Sequence, residues 1–134
     1  SLEFRVMSIE KTKSESIIAG KAYAFALEVV KIYKLLSNER KEYVLSKQLL
    51  RSGTSIGANI NEAISGQSKR DFVHKLNIAL KEARETNYWL NLLKDGEYIS
   101  SKEFESLNNK CNEIIKMLSS IIITTKERYF SNNS

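Results

Sequence analysis

Residues 51–63 read RSGTSIGANINEA. Two glycines, two serines, a threonine and two asparagines look like loop chemistry. Yet Ile56 and Ile60 lie four apart within the stretch, and Leu45, Leu49 and Ala63 or Ile64 continue the same series on either side. A phosphate-cradling loop needs GxxxxGK[ST], or GxGxxG behind a strand. Gly53 and Gly57 are four apart and are followed by Ala58-Asn59, so neither motif is present. The stretch therefore reads as the middle of a helix. On a helix, Gly53 and Gly57 stack one turn apart on one face, where small residues let a neighbouring backbone or bulky side chain approach closely. Each glycine costs about 1 kcal/mol of helix propensity, so packing has to offset it. Arg51, Ser55, Asn59 and Glu62 step by four, four and three into a polar strip beside the apolar one. Such a strip partly satisfies itself along the helix, or reaches across to Lys75, Glu82, Glu85 and Thr86 on the next one.

Working outward, four helical segments follow and no strand pattern. The first is expected over about 20–37, or from an earlier start near Ser16, with Tyr23, Ala26, Leu27, Val30, Tyr33 and Leu35 or Leu36 as its apolar stripe. Ser37-Asn38 breaks that pattern and is expected to cap a second helix over about 39–65. Gly66 is expected to end it in the left-handed conformation. Ser68 with Asp71 resembles a capping box and opens a third helix, which carries Phe72, Leu76, Ala79, Ala83, Leu90 and Leu93 and closes at Asp95-Gly96. Ser100 with Glu103 is a fuller capping box for the fourth, lined by Phe104, Leu107, Cys111, Ile114 or Ile115, Leu118 and Ile121 or Ile122. Short connections force successive helices antiparallel. The expected fold is all-α, an up-down-up-down antiparallel four-helix bundle over residues 16–130. Residues 1–15 are expected to be a disordered leader, partly cloning-derived because SLEFRV precedes Met7, and 131–134 a frayed tail.

Composition agrees with this architecture. The 134 residues suffice for one domain with a real core, and proline is absent, as long helices prefer. No apolar run approaches the roughly 18 residues of a membrane span, which argues against a membrane. Cys111 is the single cysteine, so no internal disulfide forms and a cytoplasmic location is the default expectation. The net charge of +5 permits acidic partners without demanding them.

RSGTSIGANINEA followed by SKRDFVHKLNIALKEARETNYWLNLLKD resembles a bacterial four-helix-bundle family, the proteins encoded by intervening sequences inserted in 23S ribosomal RNA genes. The matching positions are Arg51, Ser52, Ser55, Ile56, Asn59, Ile60, Glu62, Phe72, Ile78, Ala79, Glu82 and Glu85. The entry segment YAFALEVVKIYKLLS and the Tyr88-Trp89-Leu90 run are similar to the family too, so the likeness spans residues 20–125. Asn61, where alanine is common, and the leader depart from it. The resemblance implies an up-and-down bundle assembled as a barrel-like homopentamer. A related branch, the accessory variability proteins of retroelements, forms similar basic pentamers that bind a reverse transcriptase and nucleic acid.

Few residues invite chemistry of their own. His74 is the only histidine and lacks the spacing of a metal pair. Cys111 falls on the apolar face and reads as a buried small hydrophobe. Glu82 and Glu85 lie three apart, but a bundle di-metal site uses Glu-x-x-His, so an ion pair with Arg51 or Lys75 is expected. Tyr88 and Trp89 are about 100° apart on a helix, one directed to the core and the other to a neighbour, or to exposed bases. No catalytic, cofactor or metal residues are assigned. The residues taken as a structural polar network are Arg51, Ser55, Asn59, Glu62, Glu82 and Glu85. Those taken as nucleic-acid contacts are Lys69, Arg70, Lys75, Lys81 and Arg84. In a pentamer, five copies of +5 give about +25, enough to hold phosphates by counterion release. The expected function is a non-enzymatic oligomer that binds rRNA or other nucleic acid through a basic surface. The alternative is an adaptor ring for a protein partner.

Overall fold

A computed structural model describes residues 2–130, with side chains from residue 13 onward. It contains α1 (Leu2–Asn38), α2 (Leu45–Ser65), α3 (Lys69–Asp95) and α4 (Ser101–Tyr129). Each helix packs on its two neighbours, α1 on α2, α2 on α3, α3 on α4 and α4 back on α1, and among the described residues the backbones of diagonal helices do not approach as closely. The pairings run in opposite senses along each seam. Val29 meets Gly53 while Ala22 meets Gly57; Arg51 meets Glu85 while Glu62 meets Lys75; Asn87 meets Asn112 while Lys69 meets Tyr129. The fold is the antiparallel up-down-up-down bundle that the periodicity predicts. No helix of the described residues is long and apolar enough to cross a membrane.

The core face of α1 differs from the expected one. Ile18, Ala22, Phe25, Val29, Ile32 and Leu36 are buried, while Tyr23 is 67% exposed and Leu27 is also exposed. The helix is apolar nearly all round, so its periodicity alone does not select a face. The buried series alternates four and three residues without a break from 18 to 36, which is the longer and more regular stripe. α1 also starts earlier than expected, at Leu2, with side chains of residues 2–12 outside the described set. The tail expected at 131–134 lies outside the described residues.

The second helix starts at Leu45, not near Glu39, because Ser37-Asn38 stays helical and a different residue caps the next element. Lys41 takes a left-handed φ of 57° and turns the chain. The Glu42 carboxylate then accepts the backbone N–H groups of Val44, Leu45 and Ser46 at 3.1, 2.9 and 2.6 Å, while the Ser46 hydroxyl donates to the Glu42 carbonyl. Glu42 is 7% exposed. Burial pushes its carboxyl up, but the hydrogen bonds outweigh it and hold the group below the ordinary range. Gly66 has φ −68° and is extended, so it does not provide a left-handed cap. At the end of α3 it is Glu97 that turns left-handed, φ 66°, rather than Gly96. Both serine caps form: Ser68 accepts from Asp71 N–H, and Ser100 with Glu103 makes the full reciprocal box.

Glu103 has a second task. Arg40 donates to both of its carboxylate oxygens at 3.0 and 2.9 Å and to the Tyr98 carbonyl at 2.7 Å, tying the α1–α2 loop to the start of α4. The Arg40 guanidinium holds the Glu103 carboxyl below the ordinary range despite its partial burial.

Candidate nucleic-acid interface

Four seams separate four outer faces, and the charged residues sort among them by helical phase. On α3, successive residues are about 100° apart, so Lys81 and Glu82, or Arg84 and Glu85, point to different sides. The acids turn toward α2. Arg51 reaches Glu82 at 3.2 Å and also bonds Glu85, and Ser55 donates to Glu82 at 3.3 Å. The expected polar strip thus divides. Asn59 donates to the Ser55 carbonyl of its own helix at 2.8 Å, and Glu62 pairs with Lys75 at 3.0 Å further along the seam. Beneath the strip lies a pair that the sequence reading did not single out. Ser52 and Thr86, both fully buried, share a hydroxyl hydrogen bond of 3.0 Å. Ser52 lies in the family pattern, and its position one residue toward the core from Arg51 was the available signal.

The five cations expected to meet phosphates do not form one group. Lys75 is engaged by Glu62. Lys69 lies over the rings of Phe72 and Tyr129, at 5.8 and 4.8 Å from their centroids. Arg70, Lys81 and Arg84 are exposed and stand in none of the ion pairs among the described residues. With His74, Asn77 and Tyr88 they fall at steps of four, three, four, three and four, so they form one strip along the outer side of α3. Each of the six carries a hydrogen-bond donor, and none is an acid. On α1, α4 and the loop between α1 and α2, Lys21 pairs with Glu113, Lys110 with Glu28 and Arg40 with Glu103, while Lys31, Lys34, Lys102 and Lys116 are exposed and stand in none of the ion pairs among the described residues.

At the end of the strip, Trp89 is half-buried and donates its indole N–H to Glu85 at 2.9 Å, and Tyr88 is 58% exposed. The two rings meet edge to face with centroids 5.1 Å apart. Cys111 is fully buried, donates to the Ala83 carbonyl at 3.3 Å, and burial pushes its thiol up to about 12, so it is held as an inert thiol. Among the described residues no three His, Cys, Asp or Glu side chains converge as a metal set. A shallow groove of about 400 Å³ between α1 and α4 is floored by Ile32, Leu35 and Leu107 and rimmed by Lys31 and Lys102.

A family model described as 23S rRNA-intervening sequence protein matches residues 14–120. A crystal structure from Bacteroides thetaiotaomicron VPI-5482, of a protein with unknown function from the S23 ribosomal protein family, is 56% identical. The match covers 82% of this chain and 98% of that one, with a TM-score of 0.81. No curated protein matches the chain.

Proposed function

We propose a function from one premise: the chain belongs to the 23S rRNA-intervening sequence protein family. It is a non-enzymatic, oligomeric, cytoplasmic bundle that binds RNA or DNA electrostatically through a basic surface. The observation that carries this reading is the outer strip of α3, where Arg70, Lys81 and Arg84 are exposed and free of ion pairs among the described residues, while Glu82 and Glu85 of the same helix are turned toward α2 and engaged by Arg51. Exposed, unneutralised cations in line are what a phosphate backbone meets with gain, because each contact releases condensed counterions. Oligomerisation repeats the strip and raises its avidity. Filter binding of 23S rRNA fragments over a salt series tests the reading. Binding at low salt that weakens steeply with added salt, and that is lost in the triple variant R70E/K81E/R84E, supports it. No binding at low salt ends it.

A second reading has its own observation. Tyr23 and Leu27, one turn apart, leave an apolar, exposed line on α1, and Ile17 is exposed on an adjoining side of the helix. Such a line suits protein contact, with other copies of the chain or with a partner for which the assembled ring is an adaptor. Light-scattering mass separates assembly from monomer. A pull-down from nuclease-treated lysate that retains a stoichiometric protein, combined with no nucleic-acid affinity, selects the adaptor.

A further inference from the structure

We propose that Tyr88 is a base-stacking platform and that the outer strip of α3 seats one single strand of nucleic acid, its backbone along Arg70, Lys81 and Arg84. The proposal rests on the reading that this face binds nucleic acid, and it specifies the form bound. Three features of the molecule lead to it.

The first is the state of the tyrosine ring. An exposed tyrosine on a helix ordinarily samples several rotamers. Tyr88 is braced instead: its ring packs at 75° to the Trp89 ring. Trp89 is anchored by its N–H to Glu85, and Glu85 is bonded by Arg51 from α2. A ring that is both exposed and held presents a π face whose ordering cost is already met, which is the condition for stacking a base with gain.

The second is the line. From residue 70 to residue 88 the strip rises about 27 Å along a straight helix. Donors recur at every turn, and the aromatic ring closes one end. A flexible strand can lie along it, setting phosphates beside the guanidinium and ammonium groups and an unpaired base on the ring.

The third is what the bundle blocks. A lone basic helix enters a duplex major groove, about 12 Å wide, because the helix itself is about as wide as the groove. Here α2 and α4 flank α3 on both sides, so only its outer arc is free. A duplex is touched where its backbone crosses the strip, and its paired bases offer no face to Tyr88. Stacking therefore discriminates in favour of unpaired strands.

The test uses the full chain with oligo-uridylate and oligo-deoxythymidylate of about ten nucleotides and a duplex of equal length. Anisotropy reports affinity. Emission of Trp89, the one tryptophan, reports events at the neighbouring ring. The single strands are expected to bind more tightly than the duplex and to change Trp89 emission, while the duplex does not. Tyr88→Ala is expected to weaken single-strand binding about 5- to 150-fold and leave duplex binding unchanged, and Tyr88→Phe to retain both. If neither strand nor duplex binds at low salt, the underlying reading of the face is wrong and the proposal goes with it. If both bind and the duplex binds as tightly as the strands, or Tyr88→Ala leaves strand affinity unchanged, the face holds phosphates but Tyr88 is no platform.

Discussion

Two glycines one turn apart on α2 should respond oppositely to the same substitution. A methyl group built on Gly53 would stand 2.9 Å from both Cγ atoms of Val29, and one built on Gly57 would meet Ala22 no closer than 3.6 Å. Val29 is fully buried and β-branched, with essentially one rotamer in a helix, so it has no side-chain motion with which to yield. α1 and α2 must separate instead, at an overpacking cost of about 1–3 kcal/mol. Both Gly53→Ala and Gly57→Ala gain about the same helix propensity, about 1 kcal/mol. That gain cancels in the comparison, and the packing term remains. Gly57→Ala is therefore expected to be more stable than the parent by up to about 1 kcal/mol, and Gly53→Ala to fall below Gly57→Ala by about 1–3 kcal/mol. Urea unfolding followed by circular dichroism, at one fixed protein concentration because assembly shifts apparent stability, measures the difference. A cycle with Val29→Ala supplies the control, since removing the two Cγ atoms should abolish most of the penalty at position 53. Equal stabilisation by both alanines would falsify the close-approach argument.

Other substitutions probe the polar parts. Glu42→Ala removes the carboxylate that caps α2 and should cost about 1–2 kcal/mol in the same unfolding assay. Because the folded-state carboxyls of Glu42 and Glu103 are both depressed, their stabilisation is present above the unfolded value of about 4.3 and is lost as pH falls below it. Acid titration of the parent should show that loss, and Glu42→Gln should flatten it; an unchanged acid limb would refute the assignment. Thr86→Val leaves the buried Ser52 hydroxyl without its best partner and should cost about 1–2 kcal/mol, while adding Ser52→Ala should cost little more. Cys111 should resist a thiol reagent in the native chain and react at once in denaturant; rapid native labelling would contradict its burial.

The legibility of the fold varied with how many interpretations each local signal allowed. α3 and α4 were readable because serine caps with an acid three residues on mark a start, and because polar residues bound one narrow apolar stripe. α1 offered two stripes, and only the packing partner decides between them: the glycine face of α2 takes Ala22 and Val29, leaving Tyr23 and Leu27 outside. The start of α2 was hidden because its cap is a glutamate two residues before the N-cap position, folded back by a left-handed Lys41. Glutamate is a poor statistical cap, so no pattern announced it. At the candidate interface, spacing alone placed Glu82 and Glu85 on one side of α3. It did not distinguish engaged cations from free ones. Lys75 and Arg70 are equivalent in sequence, and only the position of Glu62 across the seam separates them.

The same distinction bears on why an assembly-like motif should matter to a binding surface. Arg51 lies on α2, away from the outer strip of α3, and its bonds to Glu82 and Glu85 read at first as register alone. But without Arg51 the two carboxylates would stand one turn apart beside Lys81 and Arg84, and would compete with phosphate for them. Held toward α2 and half-compensated by Arg51, they leave the strip itself with cations and no acid, and Glu85 is also positioned to accept from Trp89 and hold it against Tyr88. Removal of Arg51 should therefore act at a distance from any ligand, lowering nucleic-acid affinity through the exposed carboxylates and loosening the Trp89–Tyr88 contact through Glu85. Charge removal would separate the two effects: Arg51→Ala with Glu82→Gln and Glu85→Gln takes away the competing carboxylates, but a glutamine at position 85 without its guanidinium partner leaves the indole less firmly held. On this argument the motif that marks the family and the surface proposed to act are coupled through one carboxylate.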